Sequence, residues 1–524
     1  MSPTQPDLGS GRITAATRSA ALHRLAEQRY DVIVVGGGVT GAGVALDAAS
    51  RGFRTALVER DDLAMGTSRW SSKLVHGGLR YLARGDVAVA WESARERHHL
   101  LTTIAPHLVR PVPFLIPLDA ATRAPLAGLL AAGIYAGDLL RVASRTSGSD
   151  LPRPRRIGTT EALALAPGLT TDGLRGAILY LDGQLEDDAR LVITLARTAA
   201  AYGADIVTRC AASELTDDRV LLTDQLTGES VTARGMVVNA TGVWAAEHAP
   251  DLRVTASRGS HIVVRAESLG WPRAVVSTAV PGHFGRFVFA IPHADGLVHI
   301  GLTDEPAPGA DGIAPPVPAA DEAFLLATMS RAFARPLTSA DVVGRYAGLR
   351  PLVSAAGGGT ADISRRHLLL TPDGGPITIA GGKLTTYRVM ARDAVDAAAS
   401  RLGSEATSRT RALPLLGAAG VADLRAVGAP RALVRRYGTL GAEVCALVQD
   451  EPWLGEPVIP GRPTIGAELA YGVLAEGALT AADLIERRTR LSLVDADRDA
   501  AMATAGRVLD WAKSASGSDA AYRS

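Results

Sequence analysis

The sequence predicts an α/β fold: a doubly wound parallel-sheet domain, an inserted β-rich domain and a helical C-terminal domain. Three observations carry that prediction. Asp31-Val32-Ile33-Val34-Val35 is a near-continuous β-branched run, as expected of a strand buried on both faces. A glycine-rich turn, Gly36-Gly37-Gly38-Val39-Thr40-Gly41, follows directly and leads into helical spacing from Ala42 to Arg51. Thr55-Ala56-Leu57-Val58-Glu59 then reads as a second strand, which completes a βαβ unit.

The other elements follow in chain order. Residues 1–29 read as a polar leader with one short helical piece, Ala20 to Gln28. From about 110 to 345 the chain mixes loops with strand-like runs, among them Ser260 to Arg265, Phe287 to Pro292 and Leu297 to Leu302. Met236-Val237-Val238 is an apolar strand that runs into the small-residue turn Asn239-Ala240-Thr241-Gly242. Ile377-Thr378-Ile379-Ala380 is another, ahead of Gly381-Gly382. A Ser/Thr/Arg linker spans Ser400 to Thr410, and Arg411 to Ser524 reads as mainly helical. The sequence shows no internal repeat.

A chain of 524 residues accommodates two or three domains, because domain size centres on roughly 100–150 residues. We place a first, larger region at 30–400 and a helical domain at 411–524. Within the first, dinucleotide-binding segments fall at about 30–120, 180–250 and 345–400, and substrate segments at about 120–180 and 250–345. The formal net charge of +1 argues against a nucleic-acid partner, for which a basic excess is expected. Cys210 and Cys445 are too few and too far apart for a disulfide framework or a zinc site, so no metal is expected and a reducing compartment fits. The N-terminus lacks the apolar stretch of a signal peptide. The apolar run from Pro125 to Gly137 is broken by glycine, and falls short of the roughly 18 residues of a spanning helix. The expectation is a cytoplasmic protein with attachment to a membrane surface left open.

Gly36, Gly38 and Gly41 fit G-x-G-x-x-G between a strand and a helix, where backbone can approach a pyrophosphate at a helix N-terminus. Glu59 ends the next strand, where a carboxylate accepts from a ribose hydroxyl. Gly357-Gly358-Gly359 sits in a predicted loop with no strand before it, so the sequence offers one dinucleotide site and no relay between two. The Asn239-Ala240-Thr241-Gly242 turn resembles the one near the dinucleotide in two-domain flavoproteins, which favours a flavin over NAD.

Lysine is nearly absent. Lys73, Lys383 and Lys513 are the only three among 55 basic residues, and Asn239 is the only asparagine. In an arginine-rich chain, the surviving lysines are enriched where a compact point charge is required. Lys73 and Lys383 lie in Gly/Ser/His-rich motifs, whereas Lys513 lies in a polar C-terminal stretch.

Over most of its length the chain resembles the FAD-dependent glycerol-3-phosphate dehydrogenases and the related oxidases. The resemblance rests first on Thr67-Ser68-Arg69-Trp70-Ser71-Ser72-Lys73-Leu74-Val75-His76-Gly77-Gly78-Leu79-Arg80-Tyr81. It rests also on Gly381-Gly382-Lys383-Leu384-Thr385-Thr386-Tyr387-Arg388 and Tyr346-Ala347-Gly348-Leu349-Arg350-Pro351-Leu352. Arg258-Gly259-Ser260-His261 and Asp187-Asp188-Ala189-Arg190-Leu191 are shorter matches. The resemblance implies a Rossmann-like FAD domain and oxidation of sn-glycerol 3-phosphate to dihydroxyacetone phosphate. It also implies FAD contacts from Thr67, Ser68, Ser71, Ser72, Lys73, His76, Asn239, Thr241, Gly242, Gly382, Lys383, Leu384 and Thr385.

Oxidising a secondary alcohol this way needs a base for the hydroxyl proton, and histidine suits the task at neutral pH. His261 and His76 both sit in glycine- or serine-flanked turns; we assign His261 as base and His76 to the flavin or the substrate, and residue type alone leaves the two interchangeable. His98-His99 lie on a charged stretch and are expected to be solvated. A phosphate dianion calls for fixed cations. The resemblance implies Arg80, Arg350 and Arg365, with Tyr81 as a hydroxyl donor and Lys383 facing both flavin and substrate. Around Arg365, with Arg366 following, the local sequence departs from the commoner pattern.

Family members deliver electrons to quinone or to oxygen. Quinone is the expected partner here, because Glu486-Arg487-Arg488-Thr489-Arg490 resembles the dehydrogenase branch. Docking on the inner face of the cell membrane would use an apolar stretch such as Leu126 to Leu140, flanked by Arg123 and Arg141, which reads equally as a buried helix between domains. A homodimer is a further expectation. The alternatives are an oxygen-using glycerol-3-phosphate oxidase and an amino-acid oxidase of the glycine or sarcosine type.

Overall fold

The computed structural model describes residues 11–77, 86–119, 138, 141–144, 146–148, 151–283, 285–355 and 367–515. Among the described residues, eight strands form one sheet and ten form another. The first holds β1 (Arg29–Val35), β2 (Thr55–Val58), β7 (Asp205–Val207), β8 (Cys210–Ser213), β9 (Arg219–Asp224), β10 (Ser230–Asn239), β17 (His367–Leu370) and β18 (Ile377–Gly381). Its central order is β17-β18-β10-β1-β2-β7, parallel from β18 to β7. Along β1, Val32 and Val34 enter one apolar cluster while Ile33 and Val35 enter another on the opposite face. Alternate side chains of a strand point to opposite faces. The continuous Val/Ile run is therefore what a sheet covered on both sides requires. The helices Val39–Ser50, Asp188–Ala201 and Tyr387–Arg401 pack together on the first face, and Ala15–Glu27 packs against β7 and β10.

From β1 the chain turns to β2 on one side, while β10 lies on the other. Strand order therefore reverses beside β1, and the carboxyl end of that strand is where a doubly wound sheet opens a crevice. The glycine turn stands there.

The second sheet holds β3 (Leu74–Val75), β4 (Val109–Pro117), β5 (Arg155–Ile157), β6 (Ala177–Leu185), β11 (Leu252–Arg265), β12 (Val275–Ala279), β13 (Phe287–Pro292), β14 (Leu297–Gly301), β15 (Glu305–Pro306) and β16 (Val342–Ala355). Its backbone is the antiparallel pair β11–β16, in register from Leu252↔Ala355 through His261↔Tyr346. The helix Ala319–Ser330 closes one face over a cluster that includes Ile262, Ile300, Leu325 and Met329. The strands β4 and β6 pair within this sheet, although they stand at the margins of segments expected to bind the dinucleotide.

The C-terminal region is helical, with Gly466–Glu476 and Arg498–Ala515 at its core. It is joined to the first domain by buried ion pairs. Arg487 Nε and Arg488 Nη1 donate to Asp62 Oδ2 at 2.7 and 2.6 Å, and Arg190 pairs with Glu476. Asp62 is held well below the ordinary carboxylate range by these two guanidinium groups, which outweigh its burial.

Several expectations are corrected. The leader's helix begins earlier, at Ala15, because Thr14 caps it by accepting from the Thr17 N–H at 3.1 Å. Arg18 within it is buried and donates to the Thr208 carbonyl at 2.7 Å. Lys513 belongs to the helix Arg498–Ala515 rather than to a polar tail. A strand, β16, does precede the glycine run at 357–359; it is antiparallel and lies in the second sheet, so the βαβ context is still missing. That run and residues 125–137, 139 and 140 of the apolar stretch lie outside the described residues.

Candidate functional site

A cavity of about 540 Å³ runs from the carboxyl end of β1 to the face of the second sheet. Its first part is backbone. Gly36 has φ +108°, and a Cβ there would meet the Ala240 carbonyl oxygen at 2.7 Å. Gly41 stands behind the wall; a Cβ on it would lie 1.8 Å from the Gly36 oxygen. Gly38 caps the helix Val39–Ser50 and lines the cavity, so the helix N-terminus opens into it. Ser68 Oγ accepts from the Val39 N–H at 2.9 Å. Glu59 accepts from the N–H groups of Gly37 at 2.6 Å and Asp61 at 2.8 Å, and burial pushes its carboxyl up. A bare backbone cradle, a helix N-terminus and a carboxylate at the next strand end fit a dinucleotide diphosphate and its ribose.

The middle of the cavity is lined by Thr67, Ser68, Ser71, Ser72, Thr241, Gly242, Gly382, Leu384 and Thr385. Thr67 Oγ1 donates to the Leu349 carbonyl at 2.7 Å and thereby ties this loop to β16. Asn239 is fully buried behind the wall. Its amide donates to the Ala245 carbonyl and to Thr378 Oγ1, and its oxygen accepts from Thr241 Oγ1 at 2.7 Å. It shapes the Thr241-Gly242 turn from within. Lys73 is also behind the wall: Nζ donates to Asp188 Oδ1 at 2.9 Å and to the Arg69 carbonyl at 3.2 Å. The same carboxylate accepts from Ser71 N–H and Ser71 Oγ. The ammonium thus braces the serine loop from behind and does not line the cavity.

His76, His261, Arg350 and Lys383 all line the same space. His261, on β11, is 2 % exposed and its Nε2 lies 2.8 Å from Ser72 Oγ. Burial, reinforced by the Lys73 and Arg350 cations, pushes its imidazole down to about 3, so it is neutral at physiological pH. Its ring overlies Gly301, where a Cβ would come within 2.1 Å of Cδ2. Arg350, on β16, crosses Gly259 and donates to Asp304 Oδ1 and to the Thr303 carbonyl, both at 3.1 Å. Lys383 follows Gly381 and Gly382, both at positive φ, and Nζ donates to Ser93 Oγ at 3.2 Å. His76 is half-buried, next to Gly77, whose N–H donates to Asp182. Arg80, Tyr81 and Arg365 lie outside the described residues.

Sequence reasoning missed the groups behind His261. Tyr346 stacks on His261, and His299 on β14 touches the Tyr346 hydroxyl. Tyr346 stood in a motif singled out for Arg350, so a signal existed; His299 sits in the apolar alternation of β14 and carried none. The aromatic lining from Phe114, Tyr180 and Phe289 was missed as well. His98 and His99, expected to be solvated, are half-buried on the helix Val87–His99, and burial lowers His99 to about 4.

Residues 31–388 match the FAD dependent oxidoreductase family, and residues 408–523 match the C-terminal domain of alpha-glycerophosphate oxidase. The chain is 48% identical over 507 residues to glycerol-3-phosphate dehydrogenase 1 of Mycobacterium tuberculosis, covering 95% of this chain and 98% of that protein. It is 35% identical to glycerol-3-phosphate dehydrogenase of Synechocystis, covering 89% of this chain and 90% of that protein. The crystal structure of glycerol-3-phosphate dehydrogenase from Bacillus halodurans, complexed with FAD, superimposes with a TM-score of 0.72 at 28% identity, over 95% of this chain and 94% of that one. Fold, cradle and sequence agree over nearly the whole length, and the chain belongs to the FAD-dependent glycerol-3-phosphate dehydrogenase family.

Proposed function

We propose that the protein oxidises sn-glycerol 3-phosphate to dihydroxyacetone phosphate and passes the electrons to a quinone. The observation that supports this most is that two cations, Arg350 and Lys383, and two histidines, His76 and His261, line the same cavity as the dinucleotide cradle. FAD, when bound, supplies the two-electron acceptor for the hydride that leaves C2. Gly36, Gly38, Glu59, Ser68, Thr241, Gly242 and Thr385 would hold it, with Gly41, Asn239 and Lys73 shaping the wall behind.

The substrate phosphate is bound by Arg350 and Lys383, together with Arg80, Tyr81 and Arg365 in this reading. Arg350 already donates to Asp304 and to the Thr303 carbonyl, which fixes the fork across Gly259. As C2–H leaves with its electron pair and the C2–O bond becomes a carbonyl, the hydroxyl proton passes to His261 Nε2. Ser72 Oγ lies 2.8 Å from that atom, and burial keeps the imidazole neutral, so with its one proton on Nδ1 the ring offers the Nε2 lone pair. Burial disfavours the cationic imidazole so formed, so the proton is held there only transiently.

In this reading the acceptor is a quinone, in keeping with the dehydrogenase names of the relatives above, and the protein sits peripherally on the inner face of the cell membrane as a homodimer. Among the described residues no helix is long and apolar enough to cross a membrane. One experiment tests the reaction: anaerobic addition of glycerol 3-phosphate to the flavin-loaded protein should bleach the oxidised-flavin absorbance. An unchanged spectrum would overturn it. Comparing turnover with a soluble quinone analogue against hydrogen peroxide yield separates the dehydrogenase from an oxygen-using oxidase.

A further inference from the structure

We propose that Tyr346 is a positioning residue that holds the His261 imidazole in the one plane from which Nε2 reaches the cavity. The proposal rests on the reading of His261 as proton acceptor. Histidine χ2 is broad and roughly two-fold, so a working imidazole needs its plane set from outside. Here the register sets it. Tyr346 is the direct cross-strand partner of His261 in the β11–β16 ladder, so both side chains stand on one face of the sheet. Their rings are parallel within 7° with centroids 4.6 Å apart, an offset stack. Gly301, the β14 partner of His261, leaves room for the ring edge. The imidazole is therefore clamped on a face while Nε2 meets Ser72 Oγ.

The clamp is itself fixed. Tyr346 Oη donates to the Ser71 carbonyl at 3.3 Å, so the 3.1 Å contact with His299 is filled by an Nδ1–H donating to the phenol oxygen. Trp70 stacks on Tyr346 at 5.7 Å, and Lys73 Nζ lies 5.2 Å from the centre of the Tyr346 ring. His293 continues the series behind His299, 4.2 Å away between ring centres, and accepts through Nδ1 from Arg490 of the C-terminal domain at 3.2 Å. Tyr346 and Arg350 share β16, so one strand delivers both the substrate cation and the clamp.

The test compares Tyr346→Leu, Tyr346→Phe and His261→Ala as flavin-loaded proteins, in anaerobic stopped-flow reduction by glycerol 3-phosphate. Tyr346→Leu removes the aromatic face and should lower the limiting reduction rate at least ~20-fold, as misplacement of a reacting group does, with the substrate Kd within about threefold of the parent. Tyr346→Phe keeps the face and loses only its anchors, and should recover the rate to within about 2–5-fold. A Leu variant within about threefold of the parent overturns the proposal, as does a Phe variant that falls as far as the Leu variant. If the Leu variant does not retain flavin, the Phe variant decides: about tenfold loss or more overturns, about 2–5-fold supports. His261→Ala keeps the two readings apart. A parental rate in that variant removes the base assignment itself, whereas a large loss there beside an unaffected Tyr346→Leu removes only the clamp.

Discussion

Replacing Lys73 with Met should destabilise the protein by about 3 kcal/mol, because it strands a buried carboxylate. Lys73 and Asp188 are 2 % and 1 % exposed at their side chains and 2.9 Å apart. Breaking such a pair by removing one partner costs about 3–5 kcal/mol. The lower end applies, since Asp188 still accepts from Ser71 N–H, Ser71 Oγ and the Ala189 N–H at 2.7–3.0 Å. Unfolding entropy of about 2.1 cal/mol/K per residue, taken over 524 residues, amounts to about 1.1 kcal/mol/K. The loss then appears as a fall of about 3 °C in the apoprotein melting temperature, read by circular dichroism. Asp188→Asn alone leaves the ammonium stranded and should cost a similar amount. The double variant Lys73→Met/Asp188→Asn removes both charges, and should sit at least ~1.5 kcal/mol above the sum of the single losses. A single-variant loss under about 1 kcal/mol, or strict additivity, would refute the buried-pair reasoning.

Other outcomes follow from the same geometry. Lys383→Arg puts a planar fork where a point charge reaches Ser93 Oγ and the cavity, and should lower kcat/KM with glycerol 3-phosphate at least ~10-fold while the melting temperature moves by under about 1 °C. A typical surface exchange leaves both activity and melting temperature nearly unchanged, so equal activity in the variant would make the scarcity of lysine a coincidence. Gly41→Ala drives a methyl to 1.8 Å from the Gly36 carbonyl and should abolish stoichiometric flavin, measured by absorbance after gel filtration; full loading would contradict the cradle. Stability should also fall in mild acid. His261 and His107 are pushed down to about 3, and His293 and His299 well below their ordinary value, mainly by burial. Each stays neutral when folded and is protonated when unfolded, so its stability is intact above about pH 6.5 and is lost as pH falls toward the folded values, by about 1.4 kcal/mol per pH unit per histidine. Glu59 and Asp187, raised by burial, oppose this in part. Apoprotein melting should be level from pH 8 to 7 and drop below about 6.5. A level profile down to about pH 5 would overturn the neutral-histidine account.

The nucleotide half of the molecule was legible because its signals are local. The Val/Ile run, the glycine turn and Glu59 lie within thirty residues and follow from sheet burial and backbone reach. The second sheet was harder to read. β11 begins at Leu252, eight residues before the apolar run seen in sequence, because its first half is only partly buried and carries the polar residues Arg253, Thr255 and Ser257. The site split the same way. His261, Arg350 and Lys383 announced themselves through motifs, whereas the contacts that set their behaviour join residues far apart in the chain. Ser72 meets His261 across 189 positions, and Tyr346 meets it through strand register. Lys73 carried the right compositional signal, yet its partner Asp188 came from a helix start that nothing local linked to it.

The placement of β1 has a consequence for synthesis. Its partner β2 emerges at once, but β10 begins at residue 230 and the next strand, β18, at 377. At roughly 5–20 residues per second the ribosome takes about 10–40 s to deliver the second neighbour of a Val/Ile strand with an open edge. Such an edge is a template for pairing with other chains. The nascent polypeptide therefore passes through a long window in which this Val/Ile strand is half-paired. Shielding by a chaperone in that window, rather than the stability of the finished molecule, is what should limit soluble yield.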